Sequence, residues 1–141
     1  MDFGTIFAAL YIGHQLGDYW VQTDHQSRHK GLLGGSSSEG RWNAFKHAYT
    51  YTLTLGLVLA VVMATTTDGY TLHTVNVVLT VLLLNGITHY IIDRRWTLEV
   101  LARKMGKGPW IDTDKTALGH LDQSAHVVIL GGAALVIVAL G

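Results

Sequence analysis

Apolar positions along this chain gather into four long runs separated by polar stretches. The runs extend from about Phe3 to Val21, Ala48 to Ala64, Leu72 to Ile92 and Leu118 to Leu140. Each comes close to the roughly 20 residues that a helix needs to cross the hydrocarbon of a bilayer. A helix of a soluble bundle keeps one polar face. The stretches Leu55–Met63 and Val77–Leu84 have apolar side chains all round, so a soluble bundle does not fit. The pattern predicts an all-α fold, an integral membrane four-helix bundle, as a single domain over residues 1–141.

The polar stretches refine this picture. Gly35–Gly40, rich in serine, reads as a short flexible loop. Between the third and fourth runs, Trp96, Leu98, Leu101, Ala102 and Met105 alternate with Arg94, Arg95, Arg103, Lys104 and Lys107. Tryptophan at the start and basic flanks predict a short interfacial helix in the headgroup layer. Asp114, ahead of the fourth run, reads as an N-cap. Gly13 and Gly17, and Gly56, Ala60 and Ala64, recur at the spacing that lets membrane helices approach closely. The first run carries Asp18 near its end and has no basic start, so it does not read as a cleavable signal peptide.

Charge sets the orientation. All ten Lys and Arg residues lie in two loops: Arg28, Lys30, Arg41 and Lys46 after the first run, the other six after the third. Positive loops stay inside. The expectation is a protein of the inner (cytoplasmic) membrane with both termini outside. Ten acidic residues balance the ten basic ones, so the footprint of a nucleic-acid binder is missing and no nucleic-acid partner is expected. Cysteine is absent, which excludes disulfides and a thiol nucleophile. The mean hydropathy of +0.29 agrees with a membrane protein, for which lipid is the expected partner and a homo-oligomer is possible.

Eight histidines are many for 141 residues, and their placement carries the chemistry. His14 with Asp18, His89 with Asp93, and Asp122 with His126 each stand four residues apart in a predicted span, so each pair shares a helix face. His47 stands near the start of the second span. With alternating helix directions, all seven fall at the cytoplasmic end at similar depth. Ionisable groups inside a membrane are costly and mark function. Imidazole and carboxylate converging from rigid helices suit a divalent transition metal, with zinc first and manganese or iron as alternatives, as one ion or two. The competing readings are polar pairs that glue helices together and a proton relay. Several carboxylates so close cannot all stay ionised without cations among them, which favours metal.

Gln22 and Gln123 lie beside the proposed ligands as supporting or substrate-contacting groups, and Lys46, Arg94 and Arg95 stand at the same rim, placed to hold a phosphate headgroup. Asp18 and Asp93 are the candidate catalytic bases. His25 and His29 form a further four-residue pair in a polar stretch; His73 and His120 read as solvated.

The pattern His14-x-x-Gly17-Asp18-x-x-x-Gln22, His47, His89-x-x-Ile92-Asp93, Asp122-Gln123-x-x-His126 resembles a family of small multi-pass bacterial membrane proteins of unknown function, which also occur in phages. A lysine often follows the third-helix motif in that family; here Arg94, Arg95 and Trp96 stand there. More distantly, the pattern is similar to predicted membrane-bound metal-dependent hydrolases. That second resemblance implies hydrolysis of a lipid or lipid-linked substrate at the cytoplasmic leaflet. A metal or proton transporter, a metal sensor, and a non-catalytic membrane assembly protein are the alternatives.

Overall fold

A computed structural model describes residues 1–31, 38–66 and 69–141. The described residues form helices only: α1 (Phe3–Leu16), α2 (Asp24–His29), α3 (Ser38–Thr66), α4 (Leu72–Asp93), α5 (Trp96–Lys104), α6 (Gly108–Thr113) and α7 (Ala117–Leu140). Three of them, α3, α4 and α7, are long and apolar enough to cross a membrane. At 1.5 Å per residue the shortest of the three, α4, is about 33 Å long, against about 30 Å of hydrocarbon.

The four longer helices pack in a ring in which α1 touches α3 and α7, α3 touches α4, and α4 touches α7. Neighbours in the ring run antiparallel. His73 at the start of α4 bonds the Leu140 carbonyl at the end of α7 (2.8 Å), and His14 near the end of α1 meets Gln123 near the start of α7. One half of the ring is filled by an apolar core of Ile6, Leu10, Leu55, Leu59, Leu130 and Ala134, among others. Many large apolar side chains instead face outward. Leu57 is 67% exposed, Leu83 63% and Val128 71%. Apolar surface of that extent has the character of a lipid-facing exterior rather than a water-facing one.

Alpha-helical geometry in the first run stops at Leu16, and Gly17–Val21 forms a π turn closed by Gln22 N–H donating to the Gly17 carbonyl (3.0 Å). Glycine is needed just there. A Cβ on Gly17 would lie 2.7 Å from the Tyr51 ring, and one on Gly13 would lie 3.1 Å from the Leu55 Cα. The small residues of α1 therefore let it press against α3, as their spacing suggested.

Three local expectations change. The helix of the second apolar run, α3, begins at Ser38, well before that run, so Ser38–Gly40 are helical rather than loop; Gly35–Ser37 lie outside the described residues. Two short helices, α5 and α6, stand where one was expected. They are tied by Arg103, which donates to Glu99 (2.9 Å) and Asp112 (2.7 Å); the guanidinium holds the Asp112 carboxyl below its ordinary pKa. Asp114 does not cap α7 directly. It accepts from the Thr116 hydroxyl (2.7 Å) and N–H (2.8 Å) in the turn just before α7, and these bonds lower its pKa, the hydroxyl most.

Candidate metal centre

Helix direction and four-residue spacing bring seven side chains to one end of the ring: His14 and Asp18 from α1 and its π turn, His47 from α3, His89 and Asp93 from α4, Asp122 and His126 from α7. All seven are buried. They lie beyond the apolar core, on the side of α5 and α6.

Four of their atoms form two triangles that share the His47–His89 edge. His47 Nε2 lies 3.2 Å from Asp18 Oδ1 and 3.3 Å from Asp93 Oδ2. His89 Nε2 lies 3.5 Å from Asp18 Oδ1 and 3.2 Å from Asp93 Oδ2. The two Nε2 atoms are 3.0 Å apart. A tetrahedron with bonds of 2.0–2.1 Å to N and O ligands has edges of about 3.3–3.4 Å. These five distances scatter around that value.

Hydrogen bonds alone serve this arrangement poorly. Two neutral imidazoles offer at most one Nε2–H each to the shared space. Asp93 Oδ2 accepts no hydrogen bond, and neither His47 Nδ1 nor His89 Nδ1 finds a partner. Buried polar atoms without partners are rare and costly. A divalent cation among His47 Nε2, His89 Nε2 and Asp93 Oδ2 would satisfy that carboxylate oxygen, so these groups could hold a metal ion. Asp93, Asp122 and His126 offer a second set of ligand atoms within 4.8 Å of one another. His126 Nε2 and Asp122 Oδ1 have no hydrogen-bond partner either.

Surrounding contacts hold the cluster in place. Gln123 bridges two members: its Oε1 lies 3.1 Å from His14 Nε2, and its Nε2 donates to Asp18 Oδ2 at 3.2 Å. The Tyr51 ring stacks on His89 with centroids 3.6 Å apart, forming the boundary between the polar cluster and the apolar core. Asn85, one turn of α4 further in, is buried with its Nδ2 unpartnered.

Several expected positions take different roles. Gln22 reaches the rim of the cluster, and its Nε2 has no partner. Lys46 lies away from the cluster, over the Trp42 ring at 5.8 Å from its centroid. Arg94 is buried and donates from Nη1 to the Lys30 carbonyl (2.8 Å), so it braces a loop. Arg95 is exposed at the mouth of the site.

The residue that sequence reasoning missed is Lys30. It ends α2, folds back under the ring and is 4% exposed; its Nζ donates to Asp93 Oδ1 at 2.9 Å. Nothing in the polar stretch around it separates Lys30 from Arg28, which pairs with Asp24 in solvent. Tyr51 was within reach, since it follows His47 by four residues.

His25 and His29 stack at 4.1 Å between centroids, near Glu39, on the exposed side of α2 and apart from the cluster. His120 stacks on Trp110.

A His/Asp cluster set among antiparallel apolar helices defines a class of membrane-associated helical protein with a candidate metal centre. Within that class, the model of a family described as "Protein of unknown function (DUF3307)" matches residues 6–140, and the chain belongs to that family. No curated protein and no solved structure matches it.

Proposed function

We propose that this protein is a four-span membrane metalloenzyme, a hydrolase acting on a lipid or lipid-linked substrate at the cytoplasmic leaflet. The observation that carries the reading is the set of five distances, 3.0–3.5 Å, linking His47 Nε2, His89 Nε2, Asp18 Oδ1 and Asp93 Oδ2. That spacing and the mixed nitrogen–oxygen set favour zinc, with manganese or iron as alternatives. A bound divalent metal lowers the pKa of a coordinated water toward neutrality and so supplies a nucleophile. Asp18 and Asp93 each turn an oxygen into the tetrad and serve as ligands. Asp122, which lines the adjoining cavity with an unpartnered Oδ1, is the carboxylate placed to hold a proton beside the centre. The predicted pattern of Lys and Arg supports a cytoplasmic centre and outward termini.

Elemental analysis of detergent-purified protein tests the metal. At least one tightly bound divalent transition metal per chain is expected. His47→Ala and His89→Ala should each remove most of it, while Lys46→Ala should leave it in place. Wild-type protein without metal, or unchanged content in both histidine variants, would refute the centre.

Orientation has its own test. In sealed cells, a cysteine appended after Gly141 should react with an impermeant maleimide, and a cysteine at Lys104 should react only after lysis. The reverse pattern would overturn the topology.

A further inference from the structure

Two cavities adjoin the cluster and share Tyr19, His120 and Gln123 in their walls. The inner one, about 590 Å³, is lined by Asp18 and Asp122 on the cluster side, with Lys30, Arg95 and Lys115 around it and Gln22 at its edge. Lys30 is buried and bonded to Asp93. Among the described residues, Arg95 and Lys115 have no carboxylate within 4 Å; both are exposed at the mouth. Arg95 has φ of 55°, an unusual conformation for a residue with a side chain, and its Cδ lies over Gly31, where a Cβ would be only 3.1 Å away. The outer cavity, about 490 Å³, runs along the α1–α7 seam between Tyr11, Gln15, Ser124, Val127 and Val128. Its path leads from the apolar flank of the ring to the polar end.

We propose that the inner cavity binds the phosphate of an amphiphile, between the centre and the cations Lys30, Arg95 and Lys115, with the amphiphile's chains lying along the α1–α7 seam. The inference rests on the metal reading, because Asp18 and Asp122 also face the cavity. Bare carboxylates would repel a phosphate there; carboxylates neutralised by a divalent cation would not, and the cation itself would attract it. Gln22 Nε2, buried without a partner, supplies a neutral donor on the same wall. Charged donors bind phosphate oxygens about twice as strongly as neutral ones. Tyr11, Val127 and Val128 give the seam one apolar side along which a chain can lie, with Gln15, Gln123 and Ser124 beside it.

Binding is measured on detergent-purified full-length protein, with metal content determined on the same samples. The probes are dioleoyl phosphatidic acid, dioleoylglycerol and inorganic phosphate. Phosphatidic acid should bind about tenfold or more tightly than dioleoylglycerol, in line with one or two charge-assisted contacts. Lys115→Gln and Arg95→Gly, the latter relieving the backbone, should each lower that preference, with metal content unchanged. Ser124→Trp, which obstructs the seam, should weaken phosphatidic acid and leave inorganic phosphate unaffected.

A metal-loaded protein that shows no preference for phosphatidic acid, or a preference indifferent to both cation variants, overturns the pocket while the centre stands. Inorganic phosphate binding as tightly as phosphatidic acid, or a Ser124→Trp variant that binds the lipid normally, overturns the lipid as ligand. Metal-free protein that keeps the cation-dependent preference overturns the centre, and with it the dependence of the pocket on a bound divalent cation.

Discussion

Asp93→Ala should abolish metal binding and destabilise the protein by about 3–5 kcal/mol, the range seen when one partner of a buried ion pair is removed. Two effects combine in that residue. Asp93 Oδ2 is a member of the tetrad, while Oδ1 accepts from Lys30 at 2.9 Å, with both side chains almost fully buried. Truncation leaves a buried ammonium without its counter-charge. The two effects separate in a double variant. Adding Lys30→Met to Asp93→Ala should recover much of the lost stability, because it removes the stranded charge. It should recover none of the metal. Melting curves and elemental analysis on the four proteins of this cycle decide the matter. If the double variant melts no higher than Asp93→Ala alone, the buried pair is not the source of the loss.

Gly17→Leu should be nearly as damaging, by a steric route. A Cβ at that position already falls 2.7 Å from the Tyr51 ring, and a leucine adds three more carbons. Overpacking of this kind costs about 1–3 kcal/mol, sometimes more. Here the clash also displaces the cluster, since Gly17 adjoins Asp18 and Tyr51 stacks on His89. Metal content should fall along with the melting temperature. Gly119→Leu is the control, since a Cβ there meets nothing within 4 Å. A Gly17→Leu protein with normal metal content would show that α1 does not need its close approach to α3.

Periodicity and charge revealed much of this in advance. Four apolar runs located the four helices of the ring, three of which are long and apolar enough to cross a membrane, and four-residue His/Asp spacing on each of three runs picked out residues that the structure brings together. That inference works because the i,i+4 relation survives any packing of rigid helices, and because antiparallel neighbours put alternate helix ends at one level. Helix boundaries were harder. The apolar pattern marks where a helix is wrapped in apolar surroundings, not where its hydrogen bonds begin, so the polar first turns of α3 read as loop. Lys30 and Arg94 were illegible as buried groups for a related reason. Arg94 and Arg95 are adjacent and chemically alike, yet one is 3% exposed and the other open to solvent. A positive φ at Arg95 turns the chain between α4 and α5 and separates their directions. No composition or spacing rule encodes that turn.

The apolar core beyond Tyr51 has an electrical consequence. Ile6, Leu10, Leu55, Leu59 and Leu130 fill the ring with side chains that carry neither charge nor exchangeable proton. In a four-span arrangement with the cluster at the inner end, the membrane voltage drops across this dielectric plug rather than across the His/Asp cluster. In that arrangement protons and ions would exchange with one compartment alone, and titration or metal loading of the cluster would carry no charge through the membrane. A cell can keep so many ionisable groups within a bilayer protein without short-circuiting the gradient that the bilayer maintains.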